Sequence, residues 1–268
     1  MGTPLVVMRG GGDLATGVAH RLFMCRFRPV ILELPEPRMV RRTVSFAEAV
    51  YAGEWTVEGV TARLEKLPLK ARRSHIPVIV DPGGLALGEL RPSILIDGRM
   101  LKKKPSMSLG DAPLVIGIGP EIEAGRDAHV VIETQRGMML GREYRKGKAI
   151  ADTGVPGELE GRAAERVLRA PCDGIFKPCV AIGDRVSAGD ELARVGKEGL
   201  QASFDGVVRG LLKEGLAVRR GEKLGDLDGR FDVDVSLISD KARAIGGSVL
   251  EAIFSHFQWT IINDRRLL

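Results

Sequence analysis

Leu5-Val-Val-Met8, Arg9-Gly-Gly-Gly-Asp-Leu-Ala-Thr-Gly17, Val18-Ala-His-Arg-Leu-Phe23 and Pro29-Val-Ile-Leu-Glu-Leu34 follow one another within about thirty residues. The first and last are continuous apolar runs, the pattern of strands buried on both faces. The third has helical spacing. Strand, glycine loop, helix and strand in that order predict a Rossmann-like α/β domain. Gly10-x-Gly12-x-x-Ala15 fits the dinucleotide fingerprint, where glycine lets backbone approach a phosphate and the helix N-terminus supplies free N–H groups. Glu33 closes the second strand, 21 residues beyond Gly12, where an acid bonds a ribose hydroxyl in NAD-type sites. Arg9, Gly10, Gly11, Gly12, Asp13, Thr16 and Glu33 are therefore candidate cofactor-binding residues for a nucleotide, NAD(P)-like, or a molybdopterin-type ligand. Asp13 runs against a simple pyrophosphate site, since its carboxylate would repel the anion. It could instead cap the helix, or hold a ligand hydroxyl or a Mg²⁺ carried by the ligand. Of Arg9 and Thr16, only Arg9 offers charge.

Further buried-type strands are expected at Ile76–Val80, Ile94–Asp97, Leu114–Ile118 and His129–Glu133, in a largely parallel sheet. Arg41–Val50 has the spacing of a helix and Glu54–Thr61 that of a hairpin. Ligands in open α/β sheets lie at the carboxyl ends of strands. That rule nominates Asp81, Asp97, Gly117, Gly119 and Glu133, each of which would serve equally as a turn or cap residue. Gly117 and Gly119 join the candidate cofactor-binding set as a second glycine loop.

A second signal lies downstream. Ala170-Pro-Cys-Asp-Gly-Ile-Phe176 runs on to Gly183, Val186, Gly189 and Leu192. Ala202-Ser-Phe-Asp-Gly-Val-Val208 runs on to Gly215, Val218, Gly221 and Leu224 at a constant offset of 32. Self-similarity at a fixed period marks a duplicated unit. One such unit cannot bury its own apolar face, whereas two can close on each other. The Asp-Gly, Gly-Asp-x-Val and Gly-x-x-Leu pattern resembles biotinyl and lipoyl carrier domains and predicts an all-β barrel-sandwich module. A biotin carrier presents its lysine within Met-Lys-Met. Here the junction is Val195-Gly-Lys-Glu-Gly-Leu-Gln201. Lys197 has no methionine beside it, and neither biotin nor lipoate is expected.

These signals divide the chain into a Rossmann-like α/β domain at 1–140, a connection at 141–165, the duplicated module at 166–229, and a C-terminal segment at 230–268. The connection includes Asp152-Thr-Gly-Val-Pro-Gly-Glu158. In the last segment, Asp240–Phe254 reads as a helix packing back on the α/β domain, with Asp240 at its start. Gly246-Gly247 inside it costs roughly 1 kcal/mol each against alanine, which suggests a close approach of another backbone or a ligand.

Composition excludes several classes. With 44% hydrophobic and 28% charged residues the chain has the balance of a soluble globular protein. Its longest apolar runs are too short to span a bilayer, so no membrane association is expected. A β-like run beginning at Leu5 argues against a signal peptide, and three cysteines form no framework, so a cytoplasmic location is expected. Net charge is +5, which favours a small anionic ligand. Aromatics are only 4%, no recognition motif appears and cations are dispersed, so no nucleic-acid partner is expected. Lys102–Lys104 is the densest basic cluster and reads as a solvated turn. The histidines are scattered, no metal site is expected, and no serine elbow, Walker motif or Cys-x-x-Cys specifies a catalytic residue.

Several blocks together resemble a known family. They are Arg9–Leu22, Glu33-Leu-Pro-Glu-Pro37 leading into Arg42–Tyr51, Ala112-Pro-Leu-Val-Ile-Gly117, Thr153-Gly-Val-Pro-Gly-Glu158 and Ile238–Gly247. The chain is similar over nearly its whole length to the YqeB-type accessory proteins of selenium-dependent molybdenum hydroxylases. The resemblance implies a maturation role, a hydroxylase subunit as partner, and handling of molybdenum cofactor, selenium or sulfur. It carries over no catalytic residues. Pro120-Glu-Ile-Glu123 departs from the family by lacking a glycine soon after Gly119, which weakens phosphate binding at that loop. A stand-alone NAD(P)-dependent oxidoreductase is the alternative from the residues alone, and a biotin or lipoate carrier the third.

Overall fold

The computed structural model describes residues 4–69, 74–101, 106–152 and 164–257. The Lys102–Lys104 cluster and most of the Asp152–Glu158 connection lie outside them. The first half of the chain holds β1 (Leu5–Arg9), β2 (Arg28–Glu33), β3 (Glu54–Val57), β4 (Val60–Leu64), β5 (Ile76–Val80), β6 (Ile94–Asp97), β7 (Leu114–Ile118), β8 (Glu123–Ala124), β9 (Val130–Ile132), β10 (Glu143–Tyr144) and β11 (Gly147–Lys148). β8 and β11 form a small ribbon. The other nine build one sheet in the order β10-β9-β7-β6-β1-β2-β5-β4-β3. Its interior is parallel, and both edges, β9–β10 and β3–β4, pair antiparallel.

Strand alternation divides the apolar residues between two faces. Val6, Met8, Ile94, Ile96, Leu114 and Ile116 face the helices α1 (Asp13–Met24) and α4 (Asp240–Phe257). Val7, Leu95 and Val115 face the thinner cover of α3 (Ala86–Leu90), Met107, Ala112 and Ile122. α4 crosses α1 at very short range. A Cβ on Gly17 would fall 2.7 Å from the Ala242 Cβ, and one on Gly246 would fall 3.0 Å from the Gly17 carbonyl oxygen. The two backbones meet because both positions lack a side chain.

The expected Rossmann-like domain is corrected by this arrangement. A doubly wound sheet carries a crossover helix after nearly every strand. Among the described residues only α1 is a full-length crossover helix, and its neighbour α4 arrives from the far end of the chain. Pro35, Pro37 and the Pro82-Gly-Gly84 turn stop helices where crossovers would place them. The Arg41–Val50 helix is corrected as well. The segment forms tight turns and the short α2 (Ala49–Ala52). The Phe46 amide donates to the Thr16 hydroxyl at 2.8 Å and the Ala47 amide to the Gly11 carbonyl at 2.9 Å, so neither continues a helical ladder.

The second half holds β12 (Val167–Arg169), β13 (Gly174–Pro178), β14 (Arg185–Val186), β15 (Glu191–Val195), β16 (Glu198–Gln201), β17 (Gly206–Leu211), β18 (Ala217–Val218) and β19 (Lys223–Asp228). They form two four-stranded antiparallel sheets, β12-β19-β17-β14 and β16-β15-β13-β18. The expected biotinyl/lipoyl-like barrel-sandwich module is not what this half forms. β12 and β16 add an edge to each sheet, and β17 is built into the first half rather than free to swing. A Cβ on Gly210 would fall 2.7 Å from the Val40 carbonyl oxygen. Arg38 donates to Glu222 at 2.7 Å and to the Ala217 carbonyl at 2.8 Å. Lys197 sits at the tip of the tight β15–β16 turn, between paired Val195 and Glu198. Among the described residues no helix is long and apolar enough to cross a membrane.

Candidate ligand cleft between the glycine loop and the β-repeat

A cleft of about 960 Å³ opens where β1, β2 and β6 end. Its floor is the glycine loop. One wall comes from Leu34–Arg41, the opposite side from Gly98–Leu101, and the roof from Arg209, Lys223 and Asp226 of the repeat. Arg136, Ser239 and Lys241 close one end. Eight cationic side chains line it against four carboxylates. Such an excess raises the local concentration of anions.

The loop residues have distinct fates. Gly10 has a φ of +91° and packs under Arg99, a conformation and proximity that exclude a side chain. The Gly11 amide donates to the Glu33 carboxylate at 2.7 Å, and Gly11 itself does not line the cleft. Gly12 precedes α1, and a Cβ there would meet the Met39 Cβ at 4.0 Å, an ordinary contact. Asp13 accepts from the Leu14 amide at 2.8 Å and faces the Arg41 guanidinium at 3.6 Å. Thr16 is fully buried. Its hydroxyl donates to the Gly11 carbonyl and accepts from the Phe46 amide, so it is a structural clasp away from the ligand space. Arg9 is buried and donates to the Ser106 carbonyl at 2.7 Å. Burial and the neighbouring Arg99 lower its pKa, with Asp97 opposing. Burial raises the pKa of Glu33 against the pull of the Leu34 and Gly11 amides.

Gly117 and Gly119 lie apart from the cleft. A Cβ on Gly117 would strike Ile122 at 2.6 Å, and one on Gly119 the Met100 sulfur at 2.9 Å, so both glycines serve packing. The strand-end acids are also engaged. Asp81 accepts from the Gly84, Leu85 and Ala86 amides, Asp97 holds Arg99 at 2.6 Å, and Glu133 accepts from the Thr134, Gln135 and Ile150 amides.

Sequence reasoning missed the cations of wall and roof. Arg38 and Arg41 follow β2, Arg209 and Lys223 come from the second copy of the repeat, and Lys241 lies in the first turn of α4. Burial lowers the pKa of Lys241, opposed by Asp13 and reinforced by Arg136. A signal was present for the repeat. Where the first copy has Arg194 and Gly196, the second has Asp226 and Asp228, both buried within β19. Burial of charge in an otherwise apolar strand marks a site or a network. Among the described residues no three His, Cys, Asp or Glu side chains gather as metal ligands.

The cleft is thus walled by a glycine-led helix and by arginines, a setting that favours anions electrostatically. The chain is similar to the uncharacterized protein YqeB of Escherichia coli (strain K12), with 47% identity over 257 residues, 94% of this chain and 48% of that protein. This likeness supports the YqeB family, and the chain spans about half the length of the curated relative it matches. No protein-family model matches the chain. Among solved structures, it is similar to the ectoine utilization protein EutE (DoeB) from Ruegeria pomeroyi, at 11% identity and a TM-score of 0.25 over 84% of this chain and 86% of that one. An aspartoacylase family protein from Mesorhizobium loti matches at 11% identity and TM-score 0.26, over 85% of each chain. A succinylglutamate desuccinylase/aspartoacylase from Rhodobacter sphaeroides matches at 13% and 0.26, over 84% of this chain and 85% of that one. The expected Rossmann-like and biotinyl/lipoyl-like types are not among these three, and TM-scores this low carry the likeness no further.

Proposed function

We propose that this chain binds a nucleotide- or pterin-type anionic cofactor against its glycine loop and serves in the maturation of a molybdenum hydroxylase. The observation that carries the binding half is the cleft itself, whose volume of about 960 Å³ suits a cofactor and whose charged side chains are mostly cationic. The maturation half is supported by the resemblance to accessory proteins of selenium-dependent molybdenum hydroxylases, with a hydroxylase subunit as partner. A cytoplasmic setting goes with it, supported by three unpaired cysteines, Cys25, Cys172 and Cys179.

Native mass spectrometry of protein purified from its own host tests the binding half, with a retained pterin or nucleotide mass expected. Capture of a hydroxylase subunit by the tagged protein tests the other. Finding neither a retained cofactor nor a captured hydroxylase would overturn the reading. Thermal melting with NAD(H) tests the alternative, a stand-alone NAD(P)-dependent oxidoreductase, which the absence of a shift would count against. Ligand at about 100 times its Kd adds roughly 2.7 kcal/mol, a shift that a dinucleotide enzyme must show.

A further inference from the structure

Apart from Arg9, whose guanidinium donates to Ser106, the arginines around the cleft fall into two groups. Arg38, Arg99 and Arg136 each hold a carboxylate at 2.6 Å, and Arg42 and Arg230 hold theirs at 2.7 Å and 2.8 Å. Arg41 and Arg209 do not. Arg41, with its side chain 9% exposed, reaches Asp13 only at 3.6 Å and the Leu237 carbonyl only at 3.4 Å. Arg209, 13% exposed, stands 3.9 Å from Asp226 and 3.7 Å from Asp228. Both carboxylates are shared, Asp226 with Arg166 and Lys223, and Asp228 with Arg230. The Nε atoms of Arg41 and Arg209 are both buried without a hydrogen-bond partner. A buried guanidinium without short hydrogen bonds is costly, and two lining one cleft more so.

The helix start offers less to an anion than its glycines suggest. The Gly11 amide is taken by Glu33 and the Leu14 amide by Asp13, and the Asp13 carboxylate stands in the first turn. A doubly charged group placed there would meet two carboxylates.

We propose that Arg41 and Arg209 together form the receptor for the phosphate group of the ligand, at the seam between the sheet domain and the β-repeat, while the glycine loop and Glu33 face its uncharged, hydroxyl-bearing part. This rests on and deepens the binding reading above. Phosphate fits the pair because planar guanidiniums bond its oxygens two at a time and a dianion balances both charges. One arginine comes from each half of the chain, so the ligand bridges them. Arg209 is also held below the ordinary arginine range by burial and by Arg41, a repulsion that a bound dianion relieves.

Titration calorimetry of the full chain with inorganic pyrophosphate tests the proposal. The wild type and Arg63→Gln, whose exposed arginine on β4 pairs with Glu54, are expected to bind alike. Arg209→Gln and Arg41→Gln are each expected to weaken binding about tenfold or more. Arg209→Lys retains the charge without the planar fork and is expected to fall between. It also serves as the folded comparison if a glutamine variant fails to fold, with circular dichroism checking each. No pyrophosphate binding by the wild type, or equal binding by wild type, Arg209→Lys and every folded glutamine variant, overturns the proposal. Native mass spectrometry on the same variants separates the two readings. A cofactor retained equally by wild type and Arg209→Gln sinks the arginine pair and leaves the cofactor reading standing. Pair-dependent pyrophosphate binding without any retained cofactor or hydroxylase does the reverse.

Discussion

The Glu33 carboxylate accepts a hydrogen bond from the Gly11 amide at 2.7 Å, tying the end of β2 to the middle of the glycine loop. The acid thus occupies an N–H group that a loop of this kind would otherwise present to a ligand. Burial raises the Glu33 pKa above the ordinary glutamate value. The folded state therefore holds this proton to higher pH than the unfolded state does. The stabilisation is fully present below the unfolded pKa and is lost as pH rises through the folded one. The stability of the wild type minus that of Glu33→Gln is expected to fall across that window. Denaturant midpoints from about pH 4 to about pH 8 would measure it, and a flat or rising difference would contradict the burial argument.

Close contact of α1 with α4 depends on Gly17. Gly17→Ala puts a methyl 2.7 Å from the Ala242 Cβ and 2.9 Å from its carbonyl oxygen. Overpacking of this kind costs about 1–3 kcal/mol, more than the helix propensity gained. Gly247→Ala is the counterpart, since its Cβ would meet only the Arg21 Nη1 at 4.0 Å. It is expected to be neutral or to stabilise by up to about 1 kcal/mol. Urea unfolding of both variants checks the contrast, and equal behaviour would refute it.

The seam has a similar test at Gly210. Its Cβ would lie 2.7 Å from the Val40 carbonyl oxygen and 3.0 Å from the carbonyl carbon, both backbone atoms. Gly210→Ala is expected to lower stability by about 1–3 kcal/mol and to speed proteolysis near Val40. Unchanged cleavage would mean that the two halves are not held together there.

Asp240 begins α4 and pairs with Arg136 at 2.6 Å, its pKa lowered to about 2 by that bond against the opposing effect of burial. A depressed carboxylate contributes stability above its unfolded pKa and loses it as pH falls through the folded one. Asp240→Asn is expected to cost less than about 1 kcal/mol at neutral pH, because the pair is exposed. The difference from wild type should vanish as pH drops from about 4 towards 2. Thermal melts along that range measure it, and a difference that persists at the acid end would exclude the pair as its source.

The strands most legible in the sequence were those buried on both faces. Val30, Ile31, Val115 and Ile116 sit in runs with no polar alternation, and such runs appear where β2 and β7 lie. The 32-residue offset also recurs in space, from Gly174 to Gly206 and from Arg185 to Ala217. Hidden from the sequence was the exchange of β14 into the sheet of β17 and of β18 into that of β13, because those pairings are long-range. The turns at 42–48 were hidden too, since their Phe46 and Ala47 amides are satisfied by Thr16 and Gly11 from another element. At the site, spacing revealed the glycine loop. Arg41 and Arg209 meet only through the fold, and nothing in either local pattern indicates the other.

The crossing of α4 on α1 has a temporal consequence. A chain leaving the ribosome completes the glycine loop and α1 early, yet the helix that packs over Gly17 is among the last described segments to emerge. Through most of synthesis that face of α1 stands open.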